Sequence, residues 1–235
     1  MKPFKIMLSA AVVLVASITV NAQTADDIIN KHLDAIGGKD KLGQIKSVVI
    51  EANVNAMGND APSKTTILVG KGYKMEMEMM GQPVVQAVND KGGWAMTPQT
   101  GGAAQAIPDD QYKSSKGQLN VDPFLDYAAR GGKAELKGTE NGAYKIVLTS
   151  ADSAATTYYI DSATYNLSKV IRTVNMMGND IDLTVTFSDY KKIDFGIVMA
   201  YSTEIAYGSM FSMTSTVKKV TVNGDVDPKI FEMPK

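Results

Sequence analysis

Helical spacing of apolar residues occurs in one clear place, where Ile28, Ile29, Leu33 and Ile36 fall on a common helix face. Thr24-Ala-Asp-Asp27 ahead of it resembles a capping box with Asp in place of Glu, and Gly37-Gly38 supplies the stop. After a polar stretch at 39–44 the pattern changes to period two. The clearest alternations are Val48/Ile50/Ala52/Val54, Ile181/Leu183/Val185/Phe187 and Ile197/Met199/Tyr201/Ile205/Tyr207, with mostly polar or small residues between. Turn signals at Met57-Gly-Asn-Asp60, Met80-Gly-Gln-Pro83, Asn141-Gly142, Met177-Gly-Asn-Asp180 and Asn223-Gly224 suit antiparallel hairpins. The pattern predicts a mainly β, α+β chain of about eleven antiparallel strands, one face of the sheet apolar. The turns Asn55–Asp60 and Asn175–Asp180 are alike, but their flanking strands are not, so they read as convergent turn chemistry.

One interval breaks the alternation. Between Thr97 and Gly132, Pro98, Gly101-Gly102, Pro108, Gly117 and Pro123 leave room only for short helices at 109–115 and 123–129. Asp122-Pro-Phe-Leu-Asp-Tyr127 places Pro at a helix start beside apolar residues that need a surface to rest on, which suggests a flap over the sheet. Near the end, Ile230 and Phe231 in Asp227–Pro234 are expected to dock a closing turn on the body.

The N-terminus has a different pattern again. Lys2 and Lys5 precede an apolar or small run from Met7 to Val20, and Val20-Asn21-Ala22 offers a small-residue cleavage site before Gln23. The run is shorter than the roughly 18 residues a membrane span needs. Residues 1–22 therefore read as a cleaved signal peptide and 23–235 as one exported domain. The chain has no cysteine, so neither a lipid anchor nor a disulfide is expected. Formal net charge is −1, and Arg130 and Arg172 are the only arginines, which argues against nucleic acid as a partner.

The inventory for catalysis is thin. His32 is the single histidine and reads as a partly solvated helix position, since one imidazole makes no metal cluster by itself. None of the serines at 114, 115, 150, 162, 202 and 209 sits in a nucleophile elbow. Asp26-Asp27 and Asp109-Asp110 fit helix starts better than an acid/base pair. The Gly doublets lack the spacing of a phosphate cradle. No catalytic residue, cofactor or metal is expected.

The unusual feature is methionine, fourteen in the chain with only Met1 and Met7 in the leader. In Met75-Glu-Met-Glu-Met79 alternation puts three methionines on one face and Glu76 and Glu78 on the other. Methionine suits ordinary core packing and equally suits a surface that repacks around apolar ligands of varied shape. A long sheet with one apolar face and little helix to cover it favours a cavity, with Trp94 placed to pack at its mouth or to anchor a core.

Three segments carry a family resemblance. Ala25–Gly38 looks like the N-terminal helix of LolA-like proteins; Gly93-Trp-Ala-Met-Thr-Pro98 is the second segment; Tyr158–Ile171 followed by Phe187–Val198 is similar to that family's paired late strands. The chain thus resembles the outer-membrane lipoprotein-sorting proteins over its whole mature length. The resemblance implies an incomplete antiparallel β-barrel, an N-terminal helix and short lid helices over an apolar cavity that accepts acyl chains of lipoproteins or lipids. It also implies a periplasmic carrier, not an enzyme and not membrane-spanning, with an inner-membrane release complex and an outer-membrane acceptor as partners. In the family an early-strand arginine latches the lid, whereas residues 45–90 here contain none. Candidate lining residues are Met75, Met77, Met79, Trp94, Met96, Leu183, Val185, Phe187, Met199 and Tyr201, with Phe124 and Leu125 closing from the insertion. The rival is a non-enzymatic envelope interaction or lipid-sensing protein whose sheet face is filled by its own side chains.

Overall fold

The computed structural model describes residues 23–79, 81–176 and 178–234. Residues 1–22, read above as a signal peptide cleaved after Ala22, and the turn positions Met80 and Met177 lie outside the described residues.

Helix α1 (Ala25–Ala35) opens with the expected capping box: Asp27 N–H donates to Thr24 Oγ1 at 3.1 Å, and Thr24 N–H to Asp27 Oδ2 at 3.0 Å. Those bonds hold the Asp27 carboxyl below its ordinary pKa, the Thr24 backbone N–H first among the causes. Gly38 N–H closes the helix on Leu33 O at 2.8 Å. The stretch at 39–44, expected to be irregular, contains a one-turn helix, α2 (Lys39–Leu42), which buries Leu42.

Thirteen strands follow among the described residues, two more than the pattern suggested, because the insertion contributes a two-residue strand and the late segment divides more finely. The first six are β1 (Ser47–Ala56), β2 (Asn59–Leu68), β3 (Gly72–Met79), β4 (Gln82–Asn89), β5 (Gly93–Met96) and β6 (Gln105–Ala106). Helix α3 (Asp109–Ser115) lies in the insertion. The remainder are β7 (Lys133–Glu140), β8 (Ala143–Thr149), β9 (Ala155–Asp161), β10 (Leu167–Met176), β11 (Asn179–Lys192), β12 (Val198–Tyr207) and β13 (Phe211–Val222). They form one antiparallel sheet in the order β6-β5-β4-β3-β2-β1-β13-β12-β11-β10-β9-β8-β7.

That order is a meander whose two chain ends meet in the middle, through the β1–β13 pairing Val48↔Val222 to Ala56↔Met213. The free edges are β6 and β7, joined by the insertion, so the barrel is left unclosed where the insertion lies. The core cluster contains Ile28, Ile29 and Leu33 of α1, Ile146 and Ile160 of β8 and β9, and Val48 of β1, with Ile67 and Val220 packed on it. These strands are far apart in sheet order, so the sheet curls around α1.

The second helix expected in the insertion, at 123–129, is absent; those residues form bends and turns. Asp126, at the centre of the segment, has φ 54°, which a right-handed helix does not accommodate, and Arg130 braces the turn. Its Nη2 donates to Pro123 O at 2.9 Å and its Nη1 to Leu125 O, so carbonyls that a helix would use internally are held by a side chain.

At the other end, the closing 3₁₀ turn Pro228–Phe231 docks as expected, with Phe231 1% exposed. It lies against Gly72, where a Cβ would come within 2.3 Å of the Phe231 ring. Trp94 Nε1–H donates to Phe231 O at 3.0 Å. Gly72→Ala is expected to expel the turn and destabilise the protein by about 1–3 kcal/mol. Because Trp94 is the only tryptophan, its emission should shift to the red in the same variant. Unchanged emission and unchanged melting would show that the turn is not clamped there.

Candidate functional site

The candidate site is the inner face of the curled sheet, and cross-strand register fixes which residues share it. Met77 pairs with Ser63 and Ser63 with Ala52; Ala61 pairs with Val54, Val54 with Ser215, Ser215 with Thr203 and Thr203 with Phe187. Partners in register point to one face. Met75, Met77 and Met79 therefore stand on the same face as Leu183, Val185 and Phe187, although more than a hundred residues separate them. Glu76 lies on the opposite face, in a 2.8 Å ion pair with Lys74.

The same register corrects the placement of two residues. Trp94 pairs with Ala87, and Ala87 with Lys74; Met96 pairs with Val85, and Val85 with Glu76. Trp94 and Met96 thus point to the outer face, away from the methionine stripe, and Trp94 belongs to the seat of Phe231. Met199 and Tyr201 lie towards the far end of β12; Met199 is paired with Lys191, whose ammonium sits 4.8 Å from the Tyr201 ring centroid.

The inner face has two halves. In the half beside α1 it is filled: Phe124 is 1% exposed, 4.8 Å from the Tyr158 ring, with Leu125 packed on the cluster. Phe124 is therefore a core residue, where a residue closing an empty cavity had been expected. Towards the hairpin turns the face opens into a cavity of about 340 Å³ lined by Val54, Ala56, Met57, Ala61, Met77 and Met79, among others. A wider depression of about 630 Å³, mostly on the outer face, is bordered by charged Glu51, Lys64, Glu76, Glu78 and Lys218 together with apolar Pro62, Met77, Pro83 and Val85.

Helix α3 and the turn after it strap the inner side. Tyr112 OH donates to Asn89 O at 3.1 Å and Gly70 N–H to Leu119 O at 2.8 Å on the early-strand side. On the late-strand side Arg172 Nη1 donates to Ser114 O at 3.3 Å. Both arginines of the chain thus hold carbonyls of the insertion. Burial pushes the Tyr73 hydroxyl up to about 12 despite the opposing charge of Arg172, and Tyr207 is likewise raised by burial.

The strap's far end is fixed by a group that sequence reasoning passed over. His32, expected to be partly solvated, is 2% exposed. Its Nδ1 lies 2.8 Å from Tyr165 O, and its Nε2 lies 3.1 Å from Asp122 Oδ2, while Asp122 Oδ1 accepts Phe124 N–H at 2.8 Å. A carbonyl only accepts, so Nδ1 must carry a proton; the Nε2–Oδ2 contact then needs one more, on the ring or on the carboxyl. Burial works to lower the His32 pKa, but the hydrogen bond and charge of Asp122 and the Tyr165 carbonyl outweigh it, and the net shift is upward. The only sequence signal was that the lone histidine sits one residue before Leu33 on the buried face of α1. Among the described residues no group of three His, Cys, Asp or Glu is placed to hold a metal ion.

Comparison with solved structures matches this architecture. A LolA superfamily protein from Nitrosomonas europaea aligns over 90% of this chain and 98% of its own, at 14% identity and a TM-score of 0.58. The fold is that of the LolA superfamily. A putative outer membrane lipoprotein-sorting protein domain from Vibrio parahaemolyticus shares this LolA-like fold at 14% identity, TM-score 0.54, over 88% and 97% of the two chains. A DUF1329 family protein from Desulfovibrio piger does so at 14% identity, TM-score 0.57, over 90% and 98%. No family model and no curated protein matches the sequence. No described helix of this LolA-like chain is long and apolar enough to cross a membrane.

Proposed function

We propose that this protein is an exported, periplasmic carrier that holds acyl chains of lipids or lipoproteins against the open half of its inner face, without catalysis. The observation that carries the reading is the apolar cavity at the hairpin end, walled by Met77 and Met79 on one strand and Val54 and Ala56 on another. The packed half beside α1 sets its floor, and Met75, Leu183, Val185 and Phe187 continue the same face. The LolA-like fold and the lipoprotein-sorting relatives support the cargo class.

Affinity follows from burial. At about 0.8 kcal/mol per buried methylene, ten methylenes supply about 8 kcal/mol before ordering costs, equivalent to a Kd on the order of micromolar. Thioether side chains let one wall accept chains of different length and bend. Trp94 and Met96, on the outer face, take no part.

Native mass spectrometry before and after delipidation tests the proposal, together with titration of a fluorescent fatty acid. The untreated protein should carry lipid mass and the delipidated protein should bind the probe. Met77→Glu should weaken binding at least tenfold by placing a carboxylate in the apolar wall, whereas Met96→Gln should leave it unchanged. Identical masses with no probe binding would exclude the carrier reading and leave an interaction protein with a filled core.

A further inference from the structure

Five hairpins turn at one end of the sheet: β8–β9, whose Asp152 pairs with Lys116 at 3.4 Å, and four that are consecutive in strand order. Because β1 and β13 are antiparallel neighbours, β1–β2, β3–β4, β10–β11 and β12–β13 all reverse direction on the same rim. Among the described residues, two of the three most exposed large apolar side chains stand there, Met57 at 73% and Met210 at 56%. Their hairpins are neighbours: Ala56 pairs with Met213 across β1 and β13, and Tyr207 stacks on Phe211 at 4.6 Å to brace the β12–β13 turn. Met57 adopts φ 53°, a left-handed conformation that costs a methionine energy and that asparagine would take more readily. The apolar tip is thus kept at a position where turn chemistry favours a polar one.

Around the four consecutive hairpins charge has one sign. Segments 53–63, 75–90, 173–190 and 205–217 contain no lysine or arginine, while Asp60, Glu78 and Asp180 lie beside the turns. Asp60 accepts a hydrogen bond from the neutral Asn55 amide at 2.7 Å, which leaves its charge in place. At the opposite end, lysines 39, 41, 71, 91 and 192 border the helix α2 and the return turns. Asp34, Asp40, Asp90, Asp161 and Asp194 lie among them, so that end is mixed in sign and the excess of one charge belongs to the hairpin rim.

We propose that the methionine-tipped hairpin rim is a docking surface for a protein whose own contact face is apolar and ringed by lysine or arginine. Exposed thioethers adapt to a partner's contour, and the carboxylates steer a basic face and fix its orientation. An anionic bilayer is the other apolar surface such tips might enter. Peripheral insertion depends on basic residues, each contributing about 1 kcal/mol near anionic lipid. Here those positions are acidic and the contribution changes sign.

Met57 and Asp60 border the cavity as well as the rim, so each titration is run on lipid-loaded and on delipidated protein, and docking on the rim should be the same in both. Three probes are compared: a fluorescent amphipathic leucine–lysine peptide, its leucine–glutamate counterpart, and vesicles of phosphatidylethanolamine and phosphatidylglycerol. The lysine peptide should bind, with affinity falling as salt rises. The glutamate peptide and the vesicles should not. Both Met57→Asn/Met210→Ser and Asp60→Asn/Glu78→Gln should weaken peptide binding at least fivefold without lowering the melting temperature, and Lys39→Gln/Lys71→Gln should not. Failure of the lysine peptide to bind, binding unaffected by either rim pair, or co-sedimentation with the vesicles would each overturn the proposal.

Discussion

Phe124→Ala is expected to cost about 3–5 kcal/mol of stability, lowering the melting temperature by roughly 10 °C. The ring is 1% exposed and stands edge-on to His32 at 5.6 Å between centroids, tilted against Tyr158 at 4.8 Å. Nothing nearby is free to collapse into the space. Asp122 and Arg130 fix the backbone around it through Phe124 N–H, Pro123 O and Leu125 O. A rigidly held backbone keeps the cavity open, which places the cost at the upper part of the range. Amide hydrogen exchange should quicken in 115–132 more than in β8 and β9, since the insertion loses its one deep anchor. A loss below about 1 kcal/mol would show that Phe124 rests on the face as a movable cover and is not part of the core.

Asp122→Asn is expected to cost about 2–3 kcal/mol at neutral pH and to abolish a pH dependence that the parent protein shows. Asparagine keeps an oxygen for Phe124 N–H and loses only the charge opposite His32. In the parent protein the folded-state pKa of His32 lies above its ordinary 6.5. A group raised in this way contributes stability that is fully present below about 6.5 and is lost as pH rises through the folded pKa. Without the carboxylate, burial is opposed only by the Tyr165 carbonyl, so the gain in stability towards mild acid should disappear. Tyr158, which also faces Asp122, is raised by burial to about 12 and does not titrate in this window; Arg130, nearby, stays charged throughout it. Urea unfolding at pH 5.5, 7 and 9 on both proteins provides the comparison. Equal slopes against pH would remove the His32–Asp122 pair as their source.

Much of the fold was legible because its signals are local. The Thr24–Asp27 box, the Gly37-Gly38 stop and the Asn-Gly turns act over three or four residues, and each occurs where read. The insertion stood out because prolines and glycines break any period. Its second helix was misjudged because Pro123 favours a helix start, whereas Asp126 takes a left-handed φ and Arg130, seven residues on from Pro123, braces the turn.

The sites were less legible. Trp94 and Met96 were grouped with Met75, Met77 and Met79 because all are large and apolar and all lie on alternating segments. Alternation says that neighbours face opposite ways, not which way a given residue faces. That is decided by the register of β3 on β4 and of β4 on β5, and a one-residue slip would reverse it. His32 looked solvated because its partners, Asp122 and Tyr165, are 90 and 133 positions away. Arg172 reaches Ser114 O from a strand that only the folded sheet brings opposite α3.

Sequence alone therefore determined the period, the turns, the helix caps and the supply of methionine, since these depend on backbone preference and on residues within a few positions. Tertiary structure decided which strand face curls inward, which half of that face is filled, and which hairpin turns share a rim. It also decided that one buried proton ties the first helix to the insertion. Those outcomes depend on register, curvature and desolvation, and each is set by contacts between residues that the chain itself keeps far apart.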